Sequence, residues 1–537
     1  MAPVLTTTEY ATVVAVVVGT FCWITFTRPS KKLFPGPRGL PLIGNLGQIP
    51  MVQRWRHFEK LSKIHGPTFR LSLAGNEVLV LNDPKDAEEL LGRRSHNYSS
   101  RPPLVYLGKY QSRNKRLVIL PYGNDLKRQR AAFSQMVQPR TVGGYEEIQE
   151  VEATKLLHGM MTDPEHATHH SRRFVASLVF HLAYGGRLKD DSRDLEAVTQ
   201  ILVNFVQDAS PGKHIVDSFP WLDDILPDFL APWRAEATAK HHYEMNASLS
   251  RFVLYKRLAL EVKSQMDSDQ IGVECFAARL WDGARGKTDV DLEELAYIPG
   301  SAFEAGTDTS TGVMQWFVMA MLLYPQTMRK AQVELDSVLG GDGQTMPGFL
   351  HFPRLPYCCA LVKEVMSLKP YQSPATLMPR WAPPAPAAFP HTSEHDDEYQ
   401  GYLIPAKTMV VPCIWSMHHL EELYPDSMSF KPERFLDSGK TEVDPNDLLT
   451  GHYSFGFGRR KCPGMYLGAR SVWIGIVRML WAFHIDYKLD DEGKRIPVSP
   501  ENCTSGVTSR PEDFPFTVRP RSEDHKLTVL KQFAITK

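Results

Sequence analysis

The residue best placed to do chemistry is Cys462, in the stretch FGFGRRKCPG that runs from Phe455 to Gly464. Glycines at 456, 458 and 464 permit a loop too tight for side chains, so backbone N–H groups can approach the sulfur closely. Pro463 suits the first position of a following helix, whose N-terminal dipole favours a thiolate over a thiol. Arg459, Arg460 and Lys461 add positive charge. A lone cysteine is usually inert packing, but these surroundings make this one a ligand. The other cysteines, at 22, 275, 358, 359, 413 and 503, are scattered and show no CxxC spacing. That excludes a disulfide framework or a zinc ribbon and fits a reducing compartment. Cys358 and Cys359, adjacent on an apolar run, read as buried small hydrophobes.

A second polar cluster is AGTDTS, Ala305 to Ser310, inside the largely apolar run from Ala302 to Leu323. Gly306 and the hydroxyls of Thr307, Thr309 and Ser310 are poor choices for a helix interior, because they weaken or bend its hydrogen-bond ladder. Something other than stability is implied. Taken alone, the motif reads as a helix face turned to water.

Together these stretches resemble the cytochrome P450 family. The loop matches that family's FxxGxRxCxG haem-binding signature through Phe455, Gly458, Arg460, Cys462 and Gly464. The resemblance implies that Cys462 is the proximal thiolate ligand of a haem b iron, that Phe455 packs beside it, and that Arg460 contacts a haem propionate. A thiolate axial ligand pushes electron density onto iron and favours O–O cleavage. AGTDTS resembles the family's oxygen-binding helix segment, in which Asp308 and Thr309 would relay protons. DLKRQR, Asp125 to Arg130, aligns with the family's WxxxR; Arg130 would reach a propionate, while Leu126 stands where the family has tryptophan. His391 follows a proline where related fungal enzymes place another propionate contact. FKPERF, Phe430 to Phe435, resembles the PERF segment, with Arg434 in a buried ion-pair network.

The family pairs that arginine with an ExxR motif, whose residues share one helix face. Here Glu364 is followed at the third place by Ser367. Removing Ser367 to Pro379 would bring Arg380 three places after Glu364 and restore the pattern as KEVMRWAPPAP. Residues 367–379 therefore read as an insertion. They cannot prolong the helix, because Pro370, Pro374 and Pro379 lack an N–H and push their predecessors out of the α region.

The elements that must position these residues are mainly helices. From Asp86 to Leu368 the pattern is largely amphipathic, with a hairpin signal ahead of it in FRLSLAGNEVLVLNDP and strand signals at Gly401 to Pro412 and near Pro511 to Arg519. The expected fold class is mainly α with small β-sheets, a cytochrome P450 fold preceded by one N-terminal transmembrane helix. Tyr10 to Thr27 carries no charge and approaches the roughly 20 residues that span a bilayer. Arg28, Lys31 and Lys32 on its far side favour a cytosolic body. The expected organisation is an anchor at 1–27, a proline-rich connector at 28–46 and a catalytic domain at 47–537. The resemblance implies a single-pass protein of the endoplasmic reticulum.

Lys+Arg 61 against Asp+Glu 61 leaves no net charge, so nucleic acid is a poor partner. No GxGxxG turn in a βαβ unit supplies a flavin or nicotinamide module. The resemblance implies a monooxygenase that takes electrons from a separate NADPH-cytochrome P450 reductase, with Lys461 on the docking face, and acts with O2 on a small apolar organic substrate, a secondary metabolite or xenobiotic. Two alternatives remain open at this point: a haem-thiolate isomerase or dehydratase, and a haem-binding pseudoenzyme impaired by the insertion.

Overall fold

Alternating apolar residues form strands β1, Thr68–Leu73, and β2, Asn76–Leu81, an antiparallel hairpin in which Leu73 pairs with Asn76. The computed structural model describes residues 32–536, apart from 42, 51, 189–192, 211, 246–253, 269–274, 285–290, 368–382, 428 and 438. Ala74 and Gly75 make the turn, both at positive φ (50° and 86°), as a two-residue hairpin of this kind demands. Further along the chain come β3, His391–Thr392, the hairpin of β4, Asp397–Tyr399, with β5, Tyr402–Ile404, and then β6, Met409–Pro412. β6 pairs parallel to β2 and antiparallel to β3, so the larger sheet runs β1-β2-β6-β3. A last hairpin joins β7, Phe483–Tyr487, to β8, Phe516–Pro520.

Six helices build and position the site: α1, Asn124–Val137; α2, Glu146–Thr162; α3, Ala167–Tyr184; α4, Leu292–Leu323; α5, Pro356–Ser367; and α6, Met465–Ala482. α4 begins where the Asp291 carboxylate accepts from the Glu294 N–H at 3.1 Å. It crosses the middle of the protein against α3 and α6, and its stretch from Val313 to Leu322 is buried on every side. Such all-round burial explains a helix that is apolar without being amphipathic. Small residues set the crossings. A Cβ on Gly306 would sit 2.8 Å from a Val179 methyl of α3, and one on Gly475 of α6 would sit 3.0 Å from Met314. Gly306 is therefore a packing residue. Cys358 and Cys359 of α5 are buried, and burial raises both thiols well above their ordinary value.

The mainly helical body with small sheets agrees with expectation; the transmembrane helix ahead of it does not. Among the described residues no helix is long and apolar enough to cross a membrane. Among the described residues, then, the expected transmembrane helix is not found, and the expected single-pass membrane location has no spanning helix there to support it. Among the described residues the longest helix, α4, carries Glu293, Glu294, Glu304 and Asp308 and belongs to the protein core. The segment 1–27, to which the span was assigned, lies outside the described residues.

The described part of the proline-rich stretch lies on the sheets. Phe34 is 5% exposed and stacks on Tyr402 at 4.6 Å, and the Pro35 carbonyl accepts from the Arg70 N–H at 2.8 Å. Prolines donate nothing, but their carbonyls still accept from a neighbouring strand.

Candidate active site

The cysteine loop is shaped by its glycines. Gly456 and Gly458 take φ values of +72° and +54°. A Cβ on Gly458 would fall 1.9 Å from the Leu91 carbonyl oxygen, so only glycine fits. Gly458–Arg460 makes one 3-10 turn, closed by Lys461 N–H to Gly458 O at 3.0 Å, and Cys462 N–H donates to Phe455 O at 2.9 Å. Helix α6 starts at Met465 with Gly464 as its N-cap, so Pro463 sits in the preceding turn and not at the helix's first position.

Cys462 is exposed, yet enough protein surrounds its sulfur for desolvation to raise the thiol above its ordinary value. The Gly464 N–H directed at the sulfur and the charge of Arg130 act the other way and favour the thiolate. The other described cysteines are buried. Phe455 is half-buried, its ring 5.6 Å from that of His452.

On α4, Ala305 is exposed although most of the helix around it is buried. Thr309 lies one turn further along, and its Oγ1 donates to the Ala305 carbonyl at 2.8 Å. Thr307 and Thr311, both buried, return their hydroxyls to the carbonyls of Phe303 and Thr307, each at 2.6 Å. These back-bonds keep hydroxyl-rich sequence helical. Asp308 points to the C-terminal loop. Its Oδ2 accepts from Thr508 Oγ1 at 3.0 Å, and its Oδ1 lies 3.7 Å from Arg510 Nε.

Cations gather beside the cysteine loop. Arg130 of α1 donates to the Lys461 carbonyl at 2.8 Å; burial lowers its pKa and the neighbouring Cys462 raises it. Arg460 donates through Nε to Ser99 O at 2.7 Å and through Nη2 to Leu120 O, and burial together with repulsion from Arg130 pushes it down to about 9. Arg101 donates to the carbonyls of Val118, Phe389 and Pro390 at 3.1, 2.7 and 2.8 Å. Burial, then the charges of Arg460 and Arg130, drive it well down. His391 on β3 is 5% exposed and donates through Nδ1 to Tyr98 O at 2.7 Å. Burial and the Arg101 charge hold it neutral. Among the described residues no carboxylate pairs with Arg101, Arg130 or Arg460.

Desolvated cations crowded together without a counter-ion fit an anionic group, such as the two propionates of a haem. The sequence offered no sign of Arg101. It stands in no motif, and only the approach of β3 and the cysteine loop makes it part of the cluster. Leu126, where the family has tryptophan, is 2% exposed and belongs to the hydrophobic core.

The buried pair at the base of the site joins α5 to the turn Pro432–Phe435. Arg434 Nε lies 3.1 Å from Glu364 Oε2, and the Lys431 N–H donates to Glu364 Oε1 at 2.8 Å. Arg434 also donates to the carbonyls of Pro425, Asp426 and Ser429. Ser367, at the expected arginine's position, is fully buried and donates to the Glu364 carbonyl at 3.2 Å. Arg380 and the rest of the expected insertion, 368–379, lie outside the described residues, and so does the expected Glu364–Arg380 pairing.

The chain is similar to known proteins over nearly its whole length. The family model of cytochrome P450 matches residues 34–515. A cytochrome P450 monooxygenase of Armillaria gallica is 32% identical over 521 residues, which cover 96% of this chain and 95% of that protein. One of Aspergillus aculeatus is 32% identical over 503 residues, 93% and 90% of the two chains. One of Postia placenta is 33% identical, covering 97% and 95%. With a glycine-shaped cysteine loop, a threonine-bearing central helix and this extent of similarity, the chain belongs to the cytochrome P450 family, as a fungal-type haem-thiolate monooxygenase and an oxidoreductase.

Proposed function

We propose that this protein inserts one oxygen atom from O2 into a small apolar organic substrate, a secondary metabolite or a xenobiotic, using electrons from NADPH that reach it through a separate NADPH-cytochrome P450 reductase. The observation that carries this reading is the cluster of Arg101, Arg130, Arg460 and His391 beside the Cys462 loop, whose charge and desolvation call for a dianionic cofactor. The catalytic domain is taken as residues 47–537.

In this reading Cys462 holds the iron of haem b as a thiolate, with the Gly464 N–H on the sulfur and Phe455 packed at the root of the loop. Arg101, Arg130 and Arg460 would neutralise the propionates, and His391, whose Nδ1–H is spent on the Tyr98 carbonyl, would donate to a propionate through Nε2 when that nitrogen also carries a proton. Bound there, the haem supplies the activation of O2 and the transfer of one oxygen atom to the substrate. The chain supplies proton movement and exclusion of water. Thr309 Oγ1, held on the Ala305 carbonyl, presents its oxygen at the open face of α4, and the Asp308 carboxylate takes up and passes on protons behind it. Ala305, with only a methyl group, leaves room for a substrate on that face.

The test is reconstitution. The purified protein is titrated with haemin, reduced under carbon monoxide, and then given reductase, NADPH and a panel of terpenoid, polyketide and aromatic compounds. A thiolate-type carbon monoxide spectrum and NADPH-dependent oxygenation of a panel member are expected. A spectrum of the imidazole type would overturn the ligand assignment, and conversion of an oxygenated compound without reductase or O2 would point to an isomerase.

A further inference from the structure

The carboxylate of Asp308 is held from outside its own helix. Thr508 Oγ1 donates to Oδ2 at 3.0 Å, and Arg510 Nε stands 3.7 Å from Oδ1. Both partners belong to the short segment Thr504–Arg510, which closes on itself. The Thr504 N–H donates to Arg510 O at 2.9 Å, and the Arg510 N–H donates to Thr504 Oγ1 at 3.1 Å. Two glycines bring this loop close to its neighbours. A Cβ on Gly312, one turn beyond Asp308, would come 3.3 Å from Arg510 Cβ, so the arginine stem lies against α4. A Cβ on Gly506 would come 2.4 Å from a Val206 methyl, so the loop tip abuts the helix Arg193–Asp208. The loop is further tied by the Ser509 N–H, which donates to Pro384 O at 3.0 Å.

Charge continues outward from this point. Arg172 of α3 feels the repulsion of Arg510 and the attraction of Asp308 and Asp513. The side chains of Asp308 and Arg510 are 22% and 25% exposed. Asp308 therefore sits at a boundary, with a polar, partly wet side beyond it and Thr309 beside it in the chain.

We infer that Thr508 and Arg510 are positioning residues that set the Asp308 carboxylate for proton delivery. This rests on the reading of Asp308 and Thr309 as the relay. A hydrogen bond to Oδ2 fixes which oxygen is free, and the guanidinium 3.7 Å from Oδ1 holds the carboxylate toward the loop.

O2 itself serves as the probe, so the organic substrate need not be known. When NADPH supplies two electrons and two protons are taken up, O2 leaves as hydrogen peroxide. With four electrons and four protons it leaves as two waters. The share of NADPH electrons recovered in peroxide therefore reads proton delivery. It is measured with holoenzyme and reductase, without organic substrate, in Thr508→Val, Thr508→Ser, Arg510→Gln, Arg510→Lys and Asp308→Asn, with the solvent isotope effect on NADPH oxidation. Hydrogen–deuterium exchange of the loop in the ferric protein provides a readout independent of turnover.

Thr508→Val and Arg510→Gln are each expected to raise the peroxide share about threefold, the factor set by one hydrogen bond of ordinary strength. They should also enlarge the isotope effect and speed amide exchange in 504–510, while the carbon monoxide spectrum stays of the thiolate type. Thr508→Ser and Arg510→Lys should restore most of the wild-type partition. Adding Thr508→Val to Asp308→Asn should change nothing further. If Asp308→Asn raises peroxide while Thr508→Val and Arg510→Gln leave both partition and isotope effect unchanged, this inference is wrong and the relay stands. If Asp308→Asn has no effect either, the relay reading itself fails. Should Thr508→Val lose its haem, the Arg510 pair of variants decides.

Discussion

Glu364 and Arg434 form an ion pair at 3.1 Å, with their side chains 0% and 7% exposed, and the arginine also donates to three backbone carbonyls. The pair pins α5 to the segment that leads into the cysteine loop, so its loss should reach the haem. Arg434→Ala leaves a buried carboxylate facing an empty space, which costs about 3 to 5 kcal/mol. The expected outcome in urea unfolding is a midpoint lowered accordingly, with reduced haem content. Deleting Ser367 to Pro379, which sets Arg380 three places after Glu364, is expected to raise haem occupancy of the purified protein relative to the full chain. Equal occupancy would show the segment to be tolerated.

The ligand assignment predicts a sharp difference between cysteines. Cys462→Ala should abolish the thiolate-type carbon monoxide spectrum, whereas Cys413→Ala, at a buried thiol that burial pushes up to about 12, should keep it. The comparison separates loss of the ligand from loss of packing.

Gly458→Ala tests the shape of the loop. Its Cβ would collide with the Leu91 carbonyl at 1.9 Å, and the residue sits at φ +54°. Left-handed backbone alone costs about 1 to 3 kcal/mol in a residue with a side chain, before the clash is counted. Haem retention on gel filtration should fall steeply, while Gly464→Ala, where a Cβ meets nothing within 4 Å, should leave the apoprotein's stability nearly unchanged.

Acid should weaken the fold through His452, which burial pushes down to about 4. Nε2–H donates to Leu448 O at 2.9 Å and Nδ1 accepts from the Ser454 N–H, so the ring is locked neutral. Its folded pKa lies below the ordinary 6.5, so the unfolded chain binds the proton first as pH falls. Its contribution is intact above about 6.5 and is lost between there and about 4, at up to about 1.4 kcal/mol per pH unit. Urea midpoints measured from pH 7 to 4 should show this slope, and His452→Gln should flatten it.

The sequence by itself determined the tight turn of the cysteine loop, because its glycine spacings are local constraints that such a turn imposes on its own residues. It also determined the mainly helical body and the first hairpin, where the period of apolar residues and the Ala74–Gly75 turn act over a few residues. What only the tertiary structure decided involves groups far apart in the chain. Arg101 joins Arg460 and Arg130 through loops that meet in space, and Asp308 finds Thr508 and Arg510 some 200 residues away. The glycine at 306 reads in the sequence as a weak point in a helix, and only the approach of Val179 shows it to be a contact. Long-range packing and electrostatics depend on which surfaces come together, and no local pattern encodes that, so the partners of Asp308 and the arginine cluster emerge only once the fold is formed.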